Sequence, residues 1–246
     1  MDKSIFFKRE LATYENEDVK HFSEILRDNM MDIIYIVPSS TSVKHHASYE
    51  LGEGGCYRHL CAVTRLINHF LSIEQYHDQF TSRQRDLLRL SAQYHDSVKV
   101  GENGGKDTVP NHPTLGAEWV LRMNKENGDI LNADEIMFVY RCIQAHMGQW
   151  NTDRSGNVIL PKPVTLAEQL IHLADYLGSR KDIEIKFDED EIIKPTESTA
   201  QDFIMPFGKY KNEKLGVIPT DYLNWMWNNL SLQEPLQGYI RQILGR

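Results

Sequence analysis

The chain has 246 residues, a mass of 28.6 kDa and a formal net charge of −8, with 41% hydrophobic residues. That length can bury a sizeable core, in one large domain or in one medium and one small domain. The acidic balance argues against a protein that tracks long nucleic acids through a basic groove. Cys56, Cys61 and Cys142 form no C-x-x-C pair, and Cys61 and Cys142 sit in helical apolar patterns that suit reduced core thiols, so a disulfide framework is not indicated. The first residues, Met1 to Glu10, lack the apolar stretch of a signal peptide, and runs such as Ile33 to Val37 are too short to span a bilayer. A cytoplasmic protein with no membrane partner is expected.

Taken in chain order, amphipathic stretches over 17–30, 58–74, 83–99, 113–126, 133–147 and 164–180 predict a mainly α fold. In the second stretch His59 shares a helical face with Val63, Leu66, Ile67 and Phe70, so its imidazole points inward. Thr81-Ser82 supplies helix-start chemistry for the third, which carries the pair His95-Asp96. Neighbours on a helix diverge by about 100° and can grip a cation as two jaws. The loop from Gly101 to Lys106, rich in Gly and Asn, suits a connector or a flap over substrate. His112 follows it. Asn132 to Glu135 offers a second helix start, on a helix whose Val139 and Cys142 share a face with His146. Asp175 follows Ile171 by one turn on the sixth stretch.

After Arg180 the composition changes. Acidic residues crowd between Asp182 and Glu191, then Pro195 to Thr199 reads as linker, so an acidic connector is expected over 188–202. A small unit over 203–246 follows, with a hairpin over 206–215, a capped helix from Thr220 and a last helix opened by Pro235, a small α+β module.

Each of these histidines alone is more often a satisfied core residue than a ligand. Their conjunction carries the argument: an inward His before the His95-Asp96 pair, two more after it, and an Asp on a later helix. His59, His95, Asp96, His112, His146 and Asp175 converge from separate helices on one interior. Neutral imidazole with carboxylate suits Mn, Fe, Co, Ni or Zn, whereas Mg prefers all-oxygen sets.

These residues resemble the HD-domain metal-dependent phosphohydrolases over roughly 38–180, the catalytic part of a domain expected at 1–187. Within that family they resemble a branch that includes bacterial 3'-to-5' exoribonucleases. The shared features are His45-His46-Ala47 before Gly54-Gly55 and His59, the form His95-Asp96-x-x-Lys99, His112 with Gly116, and His146-Met147-Gly148. The resemblance implies a helical bundle holding two divalent ions, one on His59, His95, Asp96 and Asp175 and the other on Asp96, His112 and His146. Asp96 bridges, a metal-bound hydroxide attacks the phosphate, and no protein nucleophile is required. Lys99, one turn beyond Asp96, is the candidate catalytic phosphate contact. His45 and His46 are candidate substrate contacts, and Trp150 is a candidate to stack on a base.

The C-terminal unit resembles a short module found in exodeoxyribonuclease X-type proteins, through Met205 to Lys211 and Pro219 to Trp225. Lys209, Lys211 and Lys214 interleave with Phe207 and Tyr210 there, a pattern that can hold single-stranded nucleic acid. Its local charge of +2, against −8 for the whole chain, leaves −10 for the remainder. An acidic catalytic part favours a small substrate. The expected activity is therefore a 5'-nucleotidase acting on nucleoside or deoxynucleoside monophosphates, with a 3'-to-5' exonuclease as the second reading. A nucleic-acid-binding protein with a vestigial site is the third.

Overall fold

A computed structural model of the chain describes residues 1–40, 46–105, 107–153, 155–183, 185, 187, 200–201, 203–230, 232 and 236–246. Contacts divide it into two units, Met1–Ile193 and Lys194–Arg246. His45, nearly all of the expected acidic linker over 188–202, and Pro235 lie outside the described residues.

The first unit is helical: α1 (Lys8–Leu11), α2 (Glu17–Asn29), α3 (Gly55–Leu71), α4 (Glu74–His77), α5 (Ser82–Tyr94), α6 (His112–Glu126), α7 (Ala133–Gln144) and α8 (Leu166–Gly178). The six expected stretches appear with ends shifted by a few residues, as helix ends fray. Two of the expected starts are capping boxes. Thr81 accepts from the Gln84 backbone N–H, and Asn132 accepts from Glu135, with the Gln84 and Glu135 side chains returning the bond. Thr165 and Glu168 build a third at α8.

α3 runs through the middle, packed on α5 and α8, while α7 covers α5 and α6. Val63, Ile67, Leu88, Cys142, Leu170 and Ile171 fill the space between α3, α5, α7 and α8. A second apolar cluster gathers Phe6, Phe7, Tyr35, Tyr57 and Tyr94, with Phe6 and Tyr35 ring centroids 4.2 Å apart. Burying each such ring contributes about 1.5–3 kcal/mol. Cys56, Cys61 and Cys142 are all buried thiols outside any disulfide. No helix among the described residues is long and apolar enough to cross a membrane.

In the second unit, α9 (Thr220–Asn229) and α10 (Leu236–Leu244) enclose Met205, Leu215, Leu223, Met226 and Ile240. The expected hairpin reduces to a single antiparallel bridge, Ile204 to Lys214, so its described residues show helices without a sheet. α9 lacks the expected side-chain cap: its N-cap is Pro219, which has no side-chain acceptor to offer.

Polar anchoring of the N-terminal segment concentrates on Asp86, fully buried on α5. Its carboxylate accepts the Glu15 and Asn16 backbone N–H groups, the Asn16 amide at 2.7 Å and the Arg89 guanidinium at 2.6 Å. Asp86→Ala strands the Glu15 and Asn16 donors and removes one carboxylate from Arg89, and a loss of about 3–5 kcal/mol in urea unfolding is expected. Glu15 lies nearby against Arg85 and Arg89. Arg85 chiefly, helped by Arg89 against the cost of burial, lowers its carboxyl from 4.5 to about 2. A depressed carboxyl stabilises the fold above its unfolded value and loses that contribution as pH falls from 4.5 towards 2. Glu15→Gln should flatten that part of the acid-unfolding curve, measured by circular dichroism.

Candidate metal centre

The tight turn Ser48–Glu50 lies directly on the start of α3. A Cβ on Gly55 would stand 2.0 Å from the Glu50 carbonyl oxygen, so the approach requires glycine at that position. Gly54, at φ 74°, turns the chain into the helix. The consequence is a fully buried carboxylate joining two imidazoles. Glu50 accepts from His59 Nδ1 at 2.6 Å and from His46 Nδ1 at 2.5 Å.

His59 projects from α3. α5 stops at Tyr94, one residue before His95, which is its C-cap, so Asp96 lies in the following turn rather than on the expected continuous helix. Ser97 N–H and Lys99 N–H bond back three residues, to Tyr94 and Asp96, which tightens that turn. His112 opens α6, His146 sits two residues beyond α7, and Asp175 lies in the last turn of α8.

All six side chains meet. His59 Nε2 is 3.0 Å from Asp175 Oδ1 and 3.8 Å from Asp96 Oδ2, and His95 Nε2 is 3.6 Å and 3.7 Å from the same two atoms. On the other side of Asp96, its Oδ1 is 3.0 Å from His112 Nε2 and 3.7 Å from His146 Nε2. The Asp96 carboxylate thus presents one oxygen to each half of the cluster. Lys99 Nζ reaches Asp96 Oδ2 at 2.5 Å and Ser39 Oγ at 3.4 Å.

The donor set fits cations. Each imidazole directs Nδ1 at an acceptor: His59 at Glu50, His95 at the Ala92 carbonyl, His112 at Val109 and His146 at Ile143, at 2.6–2.8 Å. Nδ1 therefore carries a proton, and the Nε2 of each ring faces the interior as the atom a cation would take. Two Nε2 pairs, His59 with His95 and His112 with His146, approach to 3.2 Å. Buried Asp96 Oδ1 has no hydrogen-bond donor. Lone pairs set against one another and an orphaned carboxylate oxygen are what a bound cation resolves. His59, His95 and Asp175, and likewise His95, Asp96 and His146, form groups that can hold a metal ion.

The local charges agree. Burial opposes the ionised form of Asp96, but Lys99, His95 and His112 outweigh it and hold the carboxyl well below its usual range. Asp175 is held low against burial in the same way by His59 and His95. Burial would lower His59, yet Glu50 and Asp175 raise it to about 10, a measure of how strongly this spot favours a positive charge. His146 is pushed down to about 3 by burial and by His95 and His112, which keeps its lone pair free.

The cluster lies at the base of a cavity of about 620 Å³. Ser39, His46, Lys99 and Arg180 line it together with Trp150 and Tyr176. The Trp150 and Tyr176 rings are stacked, 5.8 Å apart and inclined by 15°. His172 donates Nδ1–H to the His146 carbonyl at 2.7 Å, and its ring fills the space where a Cβ on Gly148 would stand, only 2.2 Å from it. Residues 56–179, just over half of the chain, match the family model described as HD domain.

The chain belongs to the HD-domain family. It is accordingly a metal-dependent phosphohydrolase in the general sense, with a site of His and Asp compatible with divalent ions. Residues 198–230 match a second family model, described as "Putative quorum-sensing-regulated virulence factor". No curated protein and no solved structure matches the chain.

Within the HD domain the expected residues His59, His95, Asp96, His112, His146 and Asp175 are brought together, Lys99 adjoins them and His46 lines the cavity. His45 lies outside the described residues. Glu50 was not anticipated. The only signal for it is its place four residues after His46 and just before the two glycines.

Asp96→Ala should abolish binding of manganese to the HD domain, read by calorimetry, while the far-ultraviolet dichroism of the helices persists. Glu50→Gln leaves every ligand present but loosens the ring of His59, and manganese affinity should fall about 10–100-fold.

Proposed function

We propose that this HD-domain protein is a 5'-nucleotidase that releases phosphate from nucleoside or deoxynucleoside monophosphates. The observation that carries the reading is the cavity of about 620 Å³, which the His and Asp cluster and the stacked Trp150 and Tyr176 rings line together. Ligand pockets for small molecules fall at roughly 300–1,000 Å³. The −10 charge outside residues 203–246 also suits a substrate with one phosphate.

In this reading His59, His95, Asp96 and Asp175 would hold one ion and Asp96, His112 and His146 the other, drawn from Mn, Co, Fe, Ni or Zn. Two such ions supply an activated water and charge stabilisation for in-line attack on the phosphoryl group. The protein supplies the rest. Asp96 offers one oxygen to each half and sets their spacing, while Glu50 and the three backbone carbonyls hold the imidazoles in register. Lys99, buried beside Asp96 and raised well above the ordinary lysine range by that carboxylate despite burial, keeps its proton for a phosphoryl oxygen. Trp150, 47% exposed on the rim, offers a free face to a nucleobase. His46, held through Nδ1 by Glu50, presents its remaining ring edge to the cavity as a substrate contact.

The second reading is a 3'-to-5' exonuclease of the exoribonuclease-like branch, with the C-terminal unit as its grip on a single strand. It is favoured by the aromatic ladder of that unit. Lys209 Nζ lies 5.1 Å from the Tyr210 ring, Tyr210 meets Tyr222 edge-on at 4.8 Å, and Tyr222 stacks on the half-exposed Trp225 at 5.7 Å.

Phosphate release from a panel of ribo- and deoxynucleoside 5'-monophosphates, run beside a labelled single-stranded oligonucleotide with manganese, cobalt or chelator, separates the two readings. Free phosphate with an intact oligonucleotide is expected; a ladder of shortened oligonucleotides without phosphate release rejects the nucleotidase. Lys99→Ala should lower kcat roughly 100-fold with metal content intact. Trp150→Ala should raise KM about 5- to 100-fold with little change in kcat.

A further inference from the structure

Arg27, Arg65, Arg83, Arg85 and Arg89, all partly or largely buried, are each paired with a carboxylate. Arg180 differs. Two residues past the end of α8, it donates through Nη2 to Ser179 Oγ at 3.0 Å, and its guanidinium carbon lies 4.7 Å from the centre of the Tyr176 ring. Its Nε is buried with no hydrogen-bond acceptor, and no carboxylate pairs with it among the described residues. It lines the same cavity as Asp96 and Lys99.

A guanidinium cannot shed its proton to suit a dry wall, and a buried N–H left unmatched is costly. The Tyr176 ring fixes the guanidinium plane, so the donor fork is set in advance. The acceptor that matches the charge is an anion brought in by the ligand, and a planar guanidinium lining a site for phosphoryl chemistry matches a phosphate.

We propose that Arg180 is an anion receptor of the cavity, taking a phosphate oxygen of the substrate. It is a binding residue that selects phosphorylated over unphosphorylated nucleosides. The ligand class rests on the nucleotidase reading, and the test separates the two.

Inorganic phosphate is titrated calorimetrically into the manganese-loaded full-length chain, the Arg180→Gln and Arg180→Lys variants, and Arg122→Gln as a control cation in an exposed pair with Glu102. The receptor predicts that Arg180→Gln weakens phosphate binding about 10- to 100-fold with bound manganese unchanged, that Arg180→Lys recovers part of it, and that Arg122→Gln does nothing. Binding of the unphosphorylated nucleoside should not move. Phosphate binding equal to wild type in Arg180→Gln, an equal loss in Arg122→Gln, or loss of manganese from both Arg180 variants overturns the proposal. If phosphate binding depends on Arg180 but the chain hydrolyses no mononucleotide, the receptor stands and the nucleotidase reading falls. If mononucleotides are hydrolysed and phosphate binding ignores Arg180, the reverse holds.

Discussion

One ionised carboxylate at the centre of a helical bundle sets the terms for everything around it. Asp96 is 2% exposed, and an isolated charge at that depth would be intolerable. Lys99 compensates from one side, and the four imidazoles are turned so that each Nε2 faces inwards as a ligand atom for the cation that would balance the rest. Three of them are turned by the carbonyl three residues earlier in their own helix end or turn. His59 lies mid-helix, where backbone carbonyls are already engaged, and it is turned instead by Glu50. The Ser48–Glu50 turn, Gly55 and the passage of α3 through the middle of the unit are thus parts of one solution.

The same constraint accounts for where the ligands sit along their helices. Four of the six occupy helix ends or the first residues beyond them: His95 and Asp96 after α5, His146 after α7 and His112 at the start of α6. There the backbone has unsatisfied carbonyls to spend on imidazole N–H groups, which a helix interior lacks. The helices hold these ends together by ordinary apolar packing, so the chemistry rests on the geometry of termini and the stability rests on Val63, Ile67, Leu88 and Ile171.

Much of this was legible in the sequence because it is local. Periodicity marks the six long helices of the first unit, and Thr81 with Gln84 and Asn132 with Glu135 mark two of their starts. His59 faces inward because its apolar neighbours recur with the helical period. Contacts set by tertiary approach were not legible. Glu50 reads as a surface acid until Gly55 lets its turn sit on α3, and Asp96 reads as helical until the chain tightens after Tyr94. The hairpin expected over 206–215 narrows to one bridge, Ile204 to Lys214, flanked by backbone bonds from Met205 N–H to Glu213 and from Leu215 N–H to Phe203, because the register is set by the packing of Met205 and Leu215. Arg180 carries no motif, since its character comes from a buried Nε with no acceptor among the described residues.

The three cysteines gain a practical meaning from their burial. Cys56 is raised to about 12, chiefly by burial, and Cys142 is raised further for the same reason, so neither offers a thiolate near neutrality. Cys61 is sealed within the same aromatic core. The native chain is therefore silent towards maleimides and other thiol reagents while folded. A single cysteine introduced on the exposed face of the C-terminal unit would be the sole point of attachment for a dye or a spin label. Distance measurements could then follow that unit against the HD domain without first removing any natural thiol.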